Sequence, residues 1–158
     1  MLKIYLRFVL LLAILAGCGR KPPYVGRSVA ELERMLDDSN PTVQVQGAHG
    51  LSLHGAEARP AIPALARALK SSNGLLRQQA ALALGEVGAE ETAIEALVLA
   101  LHDSEWTVRR QAAVSLGKIG PAARTALPPL HRCREDENTL VRKAAERALS
   151  SIKGDLKR

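Results

Sequence analysis

Aromatic side chains are scarce in this 158-residue chain: one Phe, one Trp and two Tyr. A protein that binds single-stranded nucleic acid by stacking needs several aromatic faces, each contributing roughly 1–3 kcal/mol per base. Four aromatics, two of them (Tyr5 and Phe8) in the first eight residues, exclude that class. Cysteine is nearly absent too, at two residues, so no disulfide framework holds the fold. Strand-forming Val, Ile and aromatic residues are few against 25 Ala and 25 Leu, which excludes a β-rich domain. What the chain does have is 47% apolar residues and a modest formal charge of +6, enough to build a core and too apolar for disorder. The composition is that of a helical, globular chain of one-domain length.

The N-terminus is patterned differently from the rest. Met1 to Arg7 carries Lys3 and Arg7 and no acid, Phe8 to Ala16 is an unbroken apolar run, and polarity returns at Arg20 and Lys21. A short basic segment, an apolar stretch of about 7–15 residues and small residues beyond it mark a secretory signal. The run is too short to cross a bilayer, which takes about 20 apolar residues. Leu15-Ala16-Gly17-Cys18 resembles the lipobox of bacterial lipoproteins. That resemblance implies removal of residues 1–17, lipid on the Cys18 thiol, and a location in the bacterial cell envelope, anchored on the extracytoplasmic side of a membrane. Only a good nucleophile can take the lipid, and small neighbours let the peptidase approach. Residues 18–27 then read as the lipidated cysteine and a tether, because Pro22-Pro23 favours an extended chain and Gly19 and Gly26 loosen it.

The remainder, 28–158, is one unit written four times. Leu76-Arg77-Gln78-Gln79-Ala80-Ala81-Leu82-Ala83-Leu84-Gly85-Glu86-Val87-Gly88 matches Val108-Arg109-Arg110-Gln111-Ala112-Ala113-Val114-Ser115-Leu116-Gly117-Lys118-Ile119-Gly120 at an offset of 32. The same register continues forward to Val141-Arg142, Ala145, Leu149 and Ile152, and back to Val43-Gln44, Gly47-Ala48 and Leu51. Four units follow, at about 28–55, 56–88, 89–120 and 121–154. Each reads as two helices: Ile62, Leu65 and Leu69 share one helical face, and Leu76, Ala80, Leu84 and Val87 share another. Ser28 and Glu31 have the spacing of a capping box. Gly55, Gly88 and Gly120 stand where a left-handed cap residue ends a helix. The column Gly47, Ala80, Ala112, Ala145 holds only small residues, which places a close helix–helix approach there. No unit can bury its own apolar faces, so the units must stack. The column Ala48, Ala81, Ala113 ends in Glu146, and Leu36, Leu69, Leu101 ends in Arg134, so unit four has no following neighbour.

These repeats resemble HEAT repeats of the short bacterial type, on Asp103 with Val108-Arg109, Asp136 with Val141-Arg142, Pro63 and Pro128 in first helices, and the closing Leu-Gly-x-(Val/Ile)-Gly. The implied fold is all-α, an α-α superhelix or solenoid of about four HEAT-like helical hairpins. The resemblance also implies a structural ladder, in which the Asp column (Asp38, Asp103, Asp136) caps second helices and pairs with the Arg column (Arg77, Arg109, Arg142) of neighbouring repeats. Ser71 and Gln44 interrupt the two columns.

Chemistry-bearing motifs are lacking. His49, His54, His102 and His131 stand in no metal-ligand spacing. Cys133 has no histidine partner by spacing and falls in the apolar column of Met35, Ala68 and Ala100. No nucleophile-elbow, phosphate-loop or dinucleotide motif is present. HEAT-type hydroxylases carry His-Glu pairs, and this chain has no His-Glu dipeptide. The expectation is therefore a chain that is not an enzyme, with no catalytic residues, no metal, no cofactor, no small-molecule substrate and no nucleic acid. The surface lined by the second helices remains, since this is the concave side in HEAT arrays. Placed on a helical wheel, it carries Arg110, Lys118, Lys143 and Arg147 in the last two units, with Leu82 and Val114 as an apolar strip between them. Trp106 opens the second helix of unit three. These seven are the candidate partner-binding residues, and their charge points to an acidic protein partner. A lyase- or hydroxylase-type HEAT enzyme and a basic, nucleic-acid-binding solenoid are the competing readings.

Overall fold

In a computed structural model, residues 21–154 are described. The segment expected to be a signal sequence, Cys18 and the first residues of the expected tether lie outside the described residues. Eight α-helices follow in order among the described residues: α1 (Val29–Leu36), α2 (Pro41–His54), α3 (Ile62–Ala68), α4 (Gly74–Val87), α5 (Glu91–Ala100), α6 (Trp106–Ile119), α7 (Leu127–Arg132) and α8 (Thr139–Lys153). They are four hairpins. Within each, a short first helix lies against a long second one, and α2, α4, α6 and α8 pack side by side in chain order. Units two and four approach their first helix through 3₁₀ segments, Gly55–Ala61 and Gly120–Ala126. Pro63 and Pro128 sit in the first turns of α3 and α7, where the missing N–H would have had no partner anyway.

The sequence columns become layers of one continuous core. Leu51, Leu84 and Leu116 are fully buried, as are Leu32, Leu65, Leu97 and Leu130 of the first helices. Ala48, Ala81 and Ala113 are wholly buried between second helices, whereas Glu146 in the same column is exposed and so is Arg134. The polar end of the array is the outer face of unit four. Gly47 explains the small-residue column: a Cβ there would stand 2.8 Å from the Leu32 carbonyl oxygen and the Met35 Cβ.

Helix starts differ in part from what the family resemblance implied. The capping box is present at α1, where the Ser28 N–H donates to Glu31 at 2.9 Å and the Glu31 N–H to the Ser28 hydroxyl. The Ser28 N–H first, and then the Ser28 hydroxyl donating at 2.7 Å, hold the Glu31 carboxyl below its ordinary pKa. The ladder aspartates, however, do not cap. Asn40, Asn73 and Asn138 are the side-chain caps of α2, α4 and α8. Asp38, Asp103 and Asp136 instead accept the N–H two residues on, from Asn40, Glu105 and Asn138 at 2.8, 2.8 and 2.9 Å. A short carboxylate turns the chain into the helix in this way and leaves its second oxygen for other work. The glycines after second helices also differ from the expected cap. Gly55, Gly88 and Gly120 have positive φ, but ψ of −128°, −148° and −141° rather than the left-handed helical value. Past Gly55 and Gly120 the chain runs directly into the 3₁₀ segments, and the Gly120 N–H still closes the last turn of α6 on the Leu116 carbonyl.

The segment read as a tether is largely docked. The Val25 N–H donates to the Pro22 carbonyl at 2.9 Å, closing a turn. The Tyr24 ring meets the His49 ring edge-on at 4.9 Å, and Tyr24 Cβ covers Gly50. His54 Nε2 lies 3.0 Å from the Arg27 carbonyl oxygen. Only Gly19, Arg20 and Lys21 are left between Cys18 and this packed turn.

Candidate functional site

Two arginine–aspartate rungs run along the edge of the array. Arg77 Nε and Nη2 donate to the two oxygens of Asp103 at 2.7 and 2.8 Å, while its Nη1 donates to the carbonyls of Ser71 and Ser72 in its own unit. Arg109 repeats the arrangement with Asp136 at 2.7 and 3.0 Å and with the carbonyls of Asp103 and Ser104. Each guanidinium thus ties its own loop and forks onto the next unit's aspartate. Glu105 and Glu137 add a second carboxylate, at 3.2 and 3.1 Å. The hydrogen bond to aspartate raises both arginine pKa values against the cost of burial. For Asp103, burial is the largest single influence and raises the pKa, but hydrogen bonds from Arg77 and the Glu105 N–H, with the nearby guanidinium charges, outweigh it and the net shift is downward. At Asp136 the Arg109 hydrogen bond dominates and lowers the pKa outright.

The pairing direction, unit n arginine to unit n+1 aspartate, resolves the two interruptions. Gln44 of unit one and Ser71 of unit two belong to the same rung. Gln44 keeps the inner bond, donating to the Asp38 carbonyl at 2.7 Å, and has no guanidinium to fork onto the next unit. A cavity of about 160 Å³ lies at that junction, lined by Leu36, Gln44, Ser71 and Leu76 among others. Installing both partners, Gln44→Arg with Ser71→Asp, is expected to raise stability by about 1 kcal/mol, read as a higher urea midpoint, whereas either change alone gives no gain. At the far end Arg142 holds the carbonyls of Asp136 and Glu137 and the Thr139 hydroxyl, with no carboxylate among the described residues.

The expected partner face resolves into a groove. Between α6 and α8 lies a cavity of about 460 Å³ whose walls are Arg110, Val114, Leu140, Lys143 and Arg147. Its floor is small: Ala113, Gly117, Ala144 and Ala148. Gly117 lets α8 come close, since a Cβ on it would stand 2.9 Å from Ala148 Cα. Val114 is 42% exposed and Leu140 47%, and Arg110, Lys143 and Arg147 make no salt bridge among the described residues. Four of the seven candidate residues therefore meet in one place.

The other three do not. Lys118 pairs with Glu86 of the preceding unit, Leu82 is half-buried, and Trp106 is 40% exposed but outside the groove walls. Leu140 is a groove residue that the sequence reading passed over. Leu75, in the same column at the start of α4, is likewise exposed, at 54%, and nothing in the sequence alone separates these two leucines from core ones.

His49 faces Gln79, His54 faces the docked turn, and His102 and His131 are exposed. Cys133 is buried, and burial pushes its thiol pKa up. Among the described residues no group of three or more His, Cys, Asp and Glu is placed to hold a metal ion, and no helix is long and apolar enough to cross a membrane.

Stacked hairpins, a small-residue interior and an arginine–aspartate ladder define an α-solenoid of the repeat class. The family model of HEAT repeats matches residues 29–116 and 94–157, and the chain belongs to this family. It matches no curated protein. Among solved structures it is similar to an engineered protein (23% identity, TM-score 0.67, covering 80% of this chain and 62% of that one). A designed armadillo repeat protein in complex with the peptide (KR)4 is also similar, at 18% identity and TM-score 0.66, covering 78% and 64%. So is human deoxyhypusine hydroxylase, at 27% identity and TM-score 0.66, covering 94% and 54%. The chain spans less than two thirds of the length of each of these three.

Proposed function

We propose that this protein is an exported, lipid-anchored HEAT scaffold that binds an acidic segment of a protein partner in the groove between α6 and α8, and that it binds rather than catalyses. The observation that carries the reading is the groove itself: three cations with no salt bridge among the described residues stand around an apolar floor flanked by exposed Val114 and Leu140. A segment with carboxylates beside one or two apolar side chains fits both features. The armadillo neighbour, bound to a basic peptide, supports the use of a repeat array as a peptide-binding surface, with charge reversed here. The anchor rests on the sequence alone, on Leu15-Ala16-Gly17-Cys18 at the end of the apolar run. Cys18→Ser is expected to leave the protein with its signal attached and without lipid.

The groove is tested by capturing partners from the envelope with the wild-type chain and with an Arg110→Glu, Lys143→Glu, Arg147→Glu variant. Exposed ion pairs contribute about 0.2–1 kcal/mol each, and like charges then replace attraction. Affinity for the captured partner is expected to fall about tenfold or more and to weaken in the wild type with added salt. A partner held equally by the triple variant means that another surface does the binding.

A further inference from the structure

The chain between Cys18 and the first packed residue is short, and that limits how far the array can stand from whatever holds Cys18. Accepting the lipid anchor proposed above, the distance from Cys18 to Pro22 is at most about 14 Å. From Pro22 onward the chain is fastened to the first hairpin by the Pro22–Val25 turn, by Tyr24 on His49 and Gly50, and by the Arg27 carbonyl at His54. A leash this short brings the outer end of unit one to the headgroups and leaves the array little freedom to tumble.

That end carries groups suited to a lipid surface. Val25 in the turn is 48% exposed, and Leu53 of α2 is 65% exposed. At 100° per residue Leu53 lies between the directions of His49 and Gly50, the two positions that Tyr24 covers, so it emerges beside the turn. Lys21 and Arg27 are exposed in the same segment. Two acids stand near it: Glu31, whose carboxylate is held by Ser28 and lies near Arg27, and Glu57, 3.5 Å from His54. We propose that this end of the array is a bilayer-seating surface: Val25 and Leu53 sit at headgroup level, and Lys21 and Arg27 lie among anionic headgroups. A basic residue near such a surface contributes about 1 kcal/mol. Stacked helices are about 8–10 Å apart, so units three and four project roughly 20–30 Å from the membrane. The groove between α6 and α8 is then held clear of lipid and open to a partner.

Trp106 is the single tryptophan and belongs to unit three, so energy transfer from it to dansyl-labelled headgroups reports the tilt. The probe is the lipidated chain, purified from membranes and reconstituted in vesicles of phosphatidylethanolamine and phosphatidylglycerol. Transfer is expected to be weak in the wild type and roughly to double in a Val25→Asp, Leu53→Asp variant as the array lies over. Both positions are exposed, and an unchanged circular dichroism spectrum confirms that the variant is folded. Strong transfer in the wild type, or no change in the variant, overturns the seating. Flotation and intact mass of the same samples separate the two ideas. A chain that neither floats nor carries lipid on Cys18 removes the anchor and the seating with it, whereas a lipidated, floating chain with Trp106 near the headgroups removes only the seating.

Discussion

Asp136→Ala is expected to destabilise the array by about 3 kcal/mol, the low end of what breaking a buried ion pair costs. The magnitude follows from what is left behind. Arg109 is 9% exposed, and its Nη1 is already committed to the Asp103 and Ser104 carbonyls. Its Nε then has no partner, and Nη2 keeps only Glu137, whose side chain is 84% exposed. Replacing both partners with apolar residues, Arg109→Met with Asp136→Leu, is expected to cost far less than the sum of the single changes, because no unpaired charge remains. Urea unfolding of the two single variants and the double variant measures this. The rung also makes stability acid-sensitive. The Arg109 hydrogen bond lowers the folded pKa of Asp136, so its contribution is fully present above the unfolded aspartate value of about 3.9 and is lost as pH falls through the lower folded value. Asp103 adds to the same window, since its net shift is also downward. The wild-type urea midpoint should fall steeply below about pH 4, and Asp136→Asn should flatten that fall.

The repeat itself was legible because the same physical demand recurs four times. A residue that must be apolar in Leu51 must be so again in Leu84, Leu116 and Leu149, and the register makes each confirm the others. Features that depend on which unit meets which were not legible. Gln44 and Ser71 are two exceptions in two separate columns, and they become one neutral rung only once the stacking direction is known. Lys118 looked available to a partner, yet Glu86 stands in the same column of the preceding unit, and residues of one column are neighbours along the stack. The docked turn was hidden for a different reason. Pro22, Pro23 and Gly26 have the composition of a linker, and composition cannot see a single ring. The trace it left is Gly50, in a column otherwise held by Ala83, Ser115 and Ala148: a Cβ there would run into Leu32 Cδ2 and stand 3.0 Å from Tyr24 Cβ, so the two side chains share the space. The groove was half legible, because helical spacing gathers Arg110, Val114, Lys143 and Arg147. Leu140, at the opening turn of α8, reads as one more core leucine until its exposure is known.

Gly85→Val is expected to be the other severe change, costing about 3 kcal/mol, at the upper end of overpacking effects. The sequence presents Gly85 and Gly117 as parts of a closing signature, and glycine costs a helix interior about 1 kcal/mol relative to alanine. Both positions are helical, so left-handed backbone is not their reason. The neighbouring helix is. A Cβ on Gly85 would stand 2.5 Å from the Ser115 Cβ and Oγ and 2.9 Å from its Cα, so α4 and α6 touch almost backbone to backbone. Ser115 is buried there, and its hydroxyl donates to the Ala81 carbonyl at 2.8 Å. A valine cannot be relieved by rotating one side chain, because a backbone atom blocks it. The two helices must separate, and in doing so they loosen Ala80, Ala81, Ala112 and Ala113, all fully buried. Gly85→Ala tests the same contact at smaller size. Its gain in helix propensity opposes the clash, and a net loss of stability shows that the approach of the helices dominates. Urea denaturation of the alanine and valine variants gives the comparison. If the valine variant unfolds at the wild-type midpoint, α4 and α6 do not lie this close, and the tight stacking of units two and three is wrong.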